Sequence, residues 1–251
     1  MIAIIIQARM GSTRLPGKIM KNLAGKPVLW HVVDRCRKSK RADEVIVATT
    51  KNPEDDIVEK FCQENNFPCY RGSSANVLER YYEAAQKYAA DIIVRVTSDD
   101  PLIDPVIIDR CIDDFIKYRC DFISNTLPGP TNFPCGSATE VFSFSVLEMA
   151  YRNAREEYEK EHVIPYMYEN KKKEFNIGPT VMATPEYSRN YRLAVDYPED
   201  FLLMKKIYDN FYRPNSIISL PEALLFLDKH PEIVKLNAKC VQNSVNYRIL
   251  D

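Results

Sequence analysis

The chain lacks any long apolar run: none approaches the roughly 20 residues that a membrane-spanning helix needs. Met1 to Ala8 is apolar but short, has no basic leader and runs straight into Arg9, so the expectation is a soluble cytoplasmic protein with no membrane role. It also lacks a surplus of either charge. Lys+Arg 34 against Asp+Glu 35 leaves a formal net charge of -1, which excludes a surface-wide nucleic-acid footprint and makes any anion site local. The seven cysteines are odd in number and show no CxxC spacing, which argues against a disulfide framework and a zinc site. Glycine is scarce, and neither common glycine-built phosphate motif exists. There is no G-x-G-x-x-G, five residues rather than four separate Gly11 from Gly17, and Ile19 follows Lys18 where a Walker A loop has Ser or Thr. The chain is neither a P-loop ATPase nor an ordinary dinucleotide dehydrogenase.

What is present is a regular alternation. Ile2 to Gln7 is a continuous β-branched run, the pattern of a strand buried on both faces. After Pro27 the period changes to that of a helix through Val28, Leu29, Val32, Val33 and Cys36, with Pro in its opening turn. Strands are predicted at Glu44 to Thr49, Pro68 to Arg71, Asp91 to Val96 and Asp121 to Ser124, with helices marked by Ile57 to Cys62, Val77 to Ala85 and Val106 to Phe115 between them. Such alternation predicts a doubly wound, mostly parallel α/β sheet with ligands at the carboxyl ends of its strands. Asn125 to Ala138 is rich in Pro and Gly and reads as a loop long enough to be functional. Further strands are predicted at Thr139 to Phe144, Thr180 to Thr184 and Tyr191 to Val195, and a charged helix over Leu147 to Asn170 closed by Lys171 to Lys173.

The segment Gln7-Ala8-Arg9-Met10-Gly11-Ser12-Thr13-Arg14-Leu15-Pro16-Gly17-Lys18 leaves the first strand. No acidic residue precedes Asp34, whereas Arg9, Arg14, Lys18, Lys21 and Lys26 are all basic. Glycines let backbone N–H groups come close to phosphate oxygens, and Arg and Lys add charge-assisted hydrogen bonds. A basic Gly/Pro loop at a strand's carboxyl end is an anion site rather than a solvated charge run. Two carboxylate candidates also end strands: Asp99 and Asp100 after Val96, and Asp196 after Val195. Taken alone, these aspartates could equally cap the helices that follow, as Asp104 before Pro105 is expected to do.

Ile6-Gln7-Ala8-Arg9 through Arg14-Leu15-Pro16-Gly17-Lys18 resembles the signature of the sugar-acid cytidylyltransferases, the CMP-sialate and CMP-KDO synthetases among them, and most of all the SpsF-type branch. The likeness continues through Tyr70 to Tyr81, Arg95 to Pro105, Glu140 to Ser143, Glu161 to Val163 and Arg192 to Asp200. It implies a three-layer Rossmann-like nucleotidyltransferase fold over 1–251 as one domain, with an acceptor or dimerisation subregion at about 125–190. It implies CTP and Mg²⁺, an acidic sugar-like acceptor, pyrophosphate as product, and a homodimer. Carried onto this chain, Asp99 and Asp196 hold the metal, with Asp100 a weaker candidate. Gln7, Ala8, Arg9, Gly11, Ser12, Arg14 and Lys18 hold the nucleotide. Lys18 also stabilises charge in the transition state, and Arg9 joins it among the catalytic residues. Arg71, Ser73 and Arg80 lie near cytosine and ribose, and Gly136, Glu140 and His162 face the acceptor.

One segment departs from the branch. Where many members read Pro-Asp-Gly-Leu-Asp-x-Glu-Val-Phe, this chain has Pro134-Cys135-Gly136-Ser137-Ala138-Thr139-Glu140-Val141-Phe142, without either aspartate. The acceptor can therefore differ from the branch's usual one. Cys135 reads as a small pocket-lining residue, since no partner His is identifiable by spacing. The alternatives are a nucleotidyltransferase using another NTP or a sugar phosphate, a metal-dependent glycosyltransferase, and an inactive nucleotide-binding relative. The glycosyltransferase is disfavoured because Asp99 and Asp100 are adjacent rather than spaced as Asp-x-Asp.

Overall fold

The β-branched opening run becomes the centre of the molecule because both of its faces find partners. Ile4 and Ile6 join one apolar cluster and Ala3 and Ile5 another, all fully buried. The computed structural model describes residues 1–127, 131–170 and 172–241. Strand β1 (Ile2–Gln7) is followed by a loop, a small hairpin of β2 (Asn22–Leu23) and β3 (Lys26–Pro27), and helix α1 (Val28–Cys36). Then come β4 (Glu44–Thr50), α2 (Asp56–Glu64), β5 (Cys69–Gly72), α3 (Val77–Lys87), β6 (Ile92–Thr97) and α4 (Pro105–Tyr118). After β7 (Phe122–Ser124) and β8 (Glu140–Ser143) come α5 (Phe144–Asn153), α6 (Glu157–His162) and α7 (Pro165–Glu169), then an irregular stretch, then α8 (Pro198–Phe211), α9 (Leu220–Lys229) and α10 (Pro231–Val234).

The main sheet has six strands in the order β5-β4-β1-β6-β8-β7. The β5, β4, β1 and β6 strands run parallel, while β8 pairs antiparallel with both β6 and β7. Residues of α1, α2, α4, α8 and α9 pack on the face of Ile4 and Ile6, and those of α3, α5 and α7 on the opposite face. This is the three-layer, mostly parallel architecture expected. No helix among the described residues is long and apolar enough to cross a membrane.

Capping explains where several helices start. Asp104 Oδ1 accepts from Val106 N–H at 2.8 Å, with Pro105 in the first turn, as the D-P pair suggests. Asn76 caps α3 by accepting from Glu79 N–H at 3.0 Å. His31, on the buried stripe of α1, hydrogen-bonds the Leu23 carbonyl at 2.7 Å and lies among the rings of Trp30, Tyr208 and Tyr212, a structural role.

Three expectations from the sequence change. The β2–β3 hairpin was not anticipated; it turns on Ala24 and Gly25 at φ 50° and 88°, a two-residue turn whose twist suits antiparallel strands. The charged helix expected over Leu147 to Asn170 is broken into three. Ala154 is extended, Glu156 starts a new cap with Glu159, and Val163 at φ 71° precedes Pro165, which opens α7. Within its expected closing run, Lys171 lies outside the described residues. The strands expected at Thr180 to Thr184 and Tyr191 to Val195 are extended segments without ladders. Pro179 and Pro185 flank the first, and it makes only isolated bonds such as Val181 N–H to Ser124 O at 3.0 Å. The second runs between loops: Leu193 N–H bonds Cys135 O at 2.7 Å and Val195 N–H bonds Asp99 O at 2.8 Å. That stitching aims Asp196 at the sheet's carboxyl edge.

Candidate active site

The site follows from the order of the sheet. In the parallel register Gln7 of β1 pairs with Thr97 of β6 and Ala48 of β4, so the loops that leave β1 and β6 emerge side by side. The first loop is pinned rather than free. Met10 N–H donates to the buried Asp55 at 2.6 Å, Gly17 N–H returns to Met10 O at 3.2 Å, and Leu15 and Ile19 are sunk in the core. Gly17 takes φ 65°, a left-handed conformation that glycine adopts without strain, and so turns the chain into the short helical turn carrying Lys18.

Lys18 lies between the two aspartates singled out from the sequence. Its Nζ is 2.5 Å from Asp99 Oδ2 and 2.9 Å from Asp196 Oδ1. Arg14 Nη2 is 2.8 Å from the same Asp196 oxygen, and Arg192 Nη2 is 2.8 Å from the other. Burial works against both charges of this cluster. For Lys18, the attraction of Asp99 and Asp196 outweighs burial and raises its pKa above the usual lysine value. For Asp196, Lys18 and Arg14 outweigh burial and hold its pKa below the usual carboxylate value. Asp100 turns away from the cluster. It accepts from Thr97 Oγ1 at 2.7 Å, and burial together with the neighbouring Asp99 charge pushes its pKa well up.

These side chains line one cavity of about 630 Å³. Gln7, Ala8, Arg9, Gly11, Ser12, Arg14, Lys18, Arg80, Asp99, His162 and Asp196 all contribute to its wall. Glu161, Val77, Thr13, Thr97 and Ser98 complete it. Several polar atoms there are buried without a hydrogen-bond partner among the described residues: Gln7 Oε1, Arg14 Nη1 and Arg80 Nε. Buried unsatisfied donors and acceptors are costly, and these three atoms have unused hydrogen-bonding capacity. Burial is the main cause that lowers the pKa of Arg80; Tyr81 opposes it, and the nearby Arg9 charge adds a smaller lowering. Arg9 and Arg80 thus form a second cationic end of the cavity. Burial keeps His162 below its usual value, hence neutral at pH 7.

Four residues expected at the site lie elsewhere. Arg71 is spent on the back of β4, bonding Thr50 O and Asn52 O and pairing with Asp56 and Glu59 at 2.7 and 2.9 Å, and does not line the cavity. Ser73 is a local turn residue whose hydroxyl accepts from Asn76 N–H at 3.1 Å; its carbonyl holds Arg80 Nη1 at 2.7 Å. Glu140 is buried in the sheet against Arg95 at 3.0 Å. Gly136 lines a separate cavity of about 720 Å³ with Cys135, Ala138, Asn132, Ser188 and Arg189. In that cavity burial pushes the Cys135 thiol up to about 12, so it is protonated at neutral pH and not poised as a nucleophile.

Arg192 and Asp200 bound a segment of the resemblance, but the sequence assigned neither of them a role at the site. Arg192 forks across both Asp196 and Asp200, with Nε 3.0 Å from Asp200 Oδ1. Asp200 is almost fully buried and further accepts from the Asp196 and Tyr197 N–H groups, each at 3.0 Å, and from Asn237 Nδ2 at 2.8 Å. Tyr197 adds its ring beneath the Arg14 and Arg192 guanidinium groups, at 5.0 and 5.8 Å. The Asp196-Tyr197-Pro198 run ahead of a helix carried a capping signal, but nothing in it pointed to Arg192.

Asp99 Oδ2 and Asp196 Oδ1 converge on the Lys18 ammonium, which brings two carboxylates together at one point. An oxygen-only donor set fits Mg²⁺, which takes one or two carboxylates and completes its shell from phosphates and water. Among the described residues no group of three or more His, Cys, Asp or Glu is placed to hold a metal ion.

The model of the cytidylyltransferase family matches residues 3–218. The chain is 32% identical over 240 residues to the spore coat polysaccharide biosynthesis protein SpsF of Bacillus subtilis, covering 92% of this chain and 95% of that protein. A 3-deoxy-manno-octulosonate cytidylyltransferase of Anaeromyxobacter dehalogenans is 40% identical over 113 residues, 44% of this chain and 46% of that one. The structure of a cytidylyltransferase from Leptospira borgpetersenii superposes with TM-score 0.83 at 36% identity, covering 93% of this chain and 96% of the other.

Proposed function

The chain belongs to the cytidylyltransferase family, and on that premise we propose that it transfers a cytidylyl group from CTP to a sugar acid or a similar small acidic acceptor, with Mg²⁺ bound, releasing pyrophosphate. The observation that carries this reading is the convergence of Lys18 on Asp99 and Asp196 within a cavity that Arg9, Arg14 and Arg80 also line.

Arg9, Arg14 and Lys18 bind the triphosphate above the first loop, while the unpartnered Gln7 and Arg80 atoms face the nucleoside end. Asp99 and Asp196 would hold the metal, which would supply positive charge against the phosphates and make the acceptor hydroxyl easier to deprotonate. The acceptor oxygen bonds to the α-phosphorus, the bond to the bridging β-phosphate oxygen breaks, and the hydroxyl proton is lost. Neutral His162 lines the cavity in a form able to accept a proton. Lys18 and Arg14 are placed to stabilise charge as it builds on the leaving pyrophosphate. Lys18→Ala therefore lowers kcat more than it raises the Kd for CTP; an equal loss in both would remove that role.

The test is pyrophosphate release with each of CTP, ATP, GTP and UTP against a panel of sugar acids and sugar phosphates. The expected result is CTP-dependent release with an acidic sugar. Preference for another nucleotide, or a sugar phosphate as the working acceptor, would overturn the reading. So would CTP binding without turnover on any of the acceptors.

A further inference from the structure

The oxygens a metal would need are already engaged. Lys18 Nζ holds Asp99 Oδ2 and Asp196 Oδ1, Arg14 shares the latter, and Arg192 holds the second Asp196 oxygen. The contacts are protected from water: the Lys18, Asp99 and Asp196 side chains are 12%, 21% and 14% exposed. Lys18 lines the cavity, and its neighbour Ile19 is fully buried in the core. An ammonium has three donors and two are spent here, which leaves one for an incoming anion.

We propose that Lys18 is an internal counter-ion that closes the Asp99–Asp196 pair to a bare divalent cation, so that metal gains these carboxylates only when a polyphosphate draws Lys18 away. The inference deepens the functional reading above and rests on it for the identity of the polyphosphate. Its physical basis is competition. A cation arriving alone must break two charge-assisted hydrogen bonds and leave an ammonium partly buried without a partner. A cation arriving with a triphosphate meets no such cost, because the phosphate oxygens take up the displaced ammonium. The pair remains ordered, with neither carboxylate left unpaired while the site waits. Loading of metal is thereby coupled to loading of nucleotide.

The experiment titrates Mn²⁺ alone into the nucleotide-free full chain, with free Mn²⁺ read by electron paramagnetic resonance. Lys18→Met should bind Mn²⁺ at least about tenfold more tightly than wild type, the factor that about 1.4 kcal/mol of relieved competition produces. Arg9→Met removes a like charge from the same cavity without touching either carboxylate, and should change Mn²⁺ affinity by less than about threefold. The double change Lys18→Met with Asp99→Asn should lose the gain. Lys18→Gln repeats the measurement if the Met variant melts early. The proposal is overturned if a folded Lys18 variant binds Mn²⁺ no more tightly than wild type, if Arg9→Met matches its gain, or if the gain survives loss of Asp99. These readouts involve no turnover. Failure of wild type to release pyrophosphate from CTP would instead remove the cytidylyltransferase reading and leave the counter-ion role standing on the Mn²⁺ result.

Discussion

Replacing Arg192 by Met tests whether the Asp196 carboxylate is held from behind. The side chain is 12% exposed and spans two carboxylates, of which Asp200 is 1% exposed. Removing one member of a buried ion pair costs about 3–5 kcal/mol, mostly the desolvation of the charge left behind. Asp200 keeps donors from the Asp196 and Tyr197 amides and from Asn237, so the low end applies, about 3 kcal/mol. For a chain of 251 residues, an unfolding entropy of about 2.1 cal/mol/K per residue turns this into a fall in Tm of about 6 °C. Asp196 would also lose the contact that fixes its second oxygen. Loss of a residue that orients a metal-binding carboxylate typically costs roughly 10- to 100-fold in activity or metal affinity. Calorimetry gives the first number and pyrophosphate release the second. Arg192→Lys, which keeps the charge but cannot fork, should recover only part of each. A Met variant that melts within about 1 °C of wild type would refute the buried-pair argument. Unchanged activity would refute the positioning role.

Arg71→Ala should lower stability modestly, by about 1 kcal/mol after discounting for solvent screening, and leave the KM for CTP unchanged, since Arg71 faces Asp56 and Glu59 rather than the cavity. A large rise in KM measured by steady-state kinetics would put it back at the nucleotide. Gly136→Ala faces both a φ of 99° and a new Cβ about 2.7 Å from the Ala194 nitrogen and the Leu193 carbonyl carbon. Its cost should exceed about 1 kcal/mol, visible in denaturant titration, and activity should fall because the displaced segment carries Asp196. His162 is a base whose folded pKa is lowered, first by burial, so the unfolded chain takes up the proton before the folded one as pH falls. Stability should therefore decline below the unfolded value of about 6.5, and His162→Gln should flatten that part of a Tm-against-pH curve. The remaining slope includes buried His31, which is shifted in the same direction. A variant curve parallel to wild type would remove His162 from the account.

Read on its own, the sequence was sufficient for the parts governed by local period and composition. The doubly apolar run of Ile2 to Gln7 can only be a central strand. The helices with Pro or Asn at their starts begin where capping chemistry places them. The basic Gly/Pro loop could be read as an anion site because its charges are close together in the chain. Lys18 and Asp196 are 178 residues apart, and no local pattern says that they touch. Parallel register brought the β1 and β6 loops together, and two backbone bonds from the extended 193–195 segment set Asp196 opposite Asp99. The same three-dimensional packing sent Arg71 to Asp56 and Glu59, buried Glu140 on Arg95, and placed Arg192 across Asp196 and Asp200. Which charged side chain meets which depends on distances across the fold, and these exist only once the sheet has assembled.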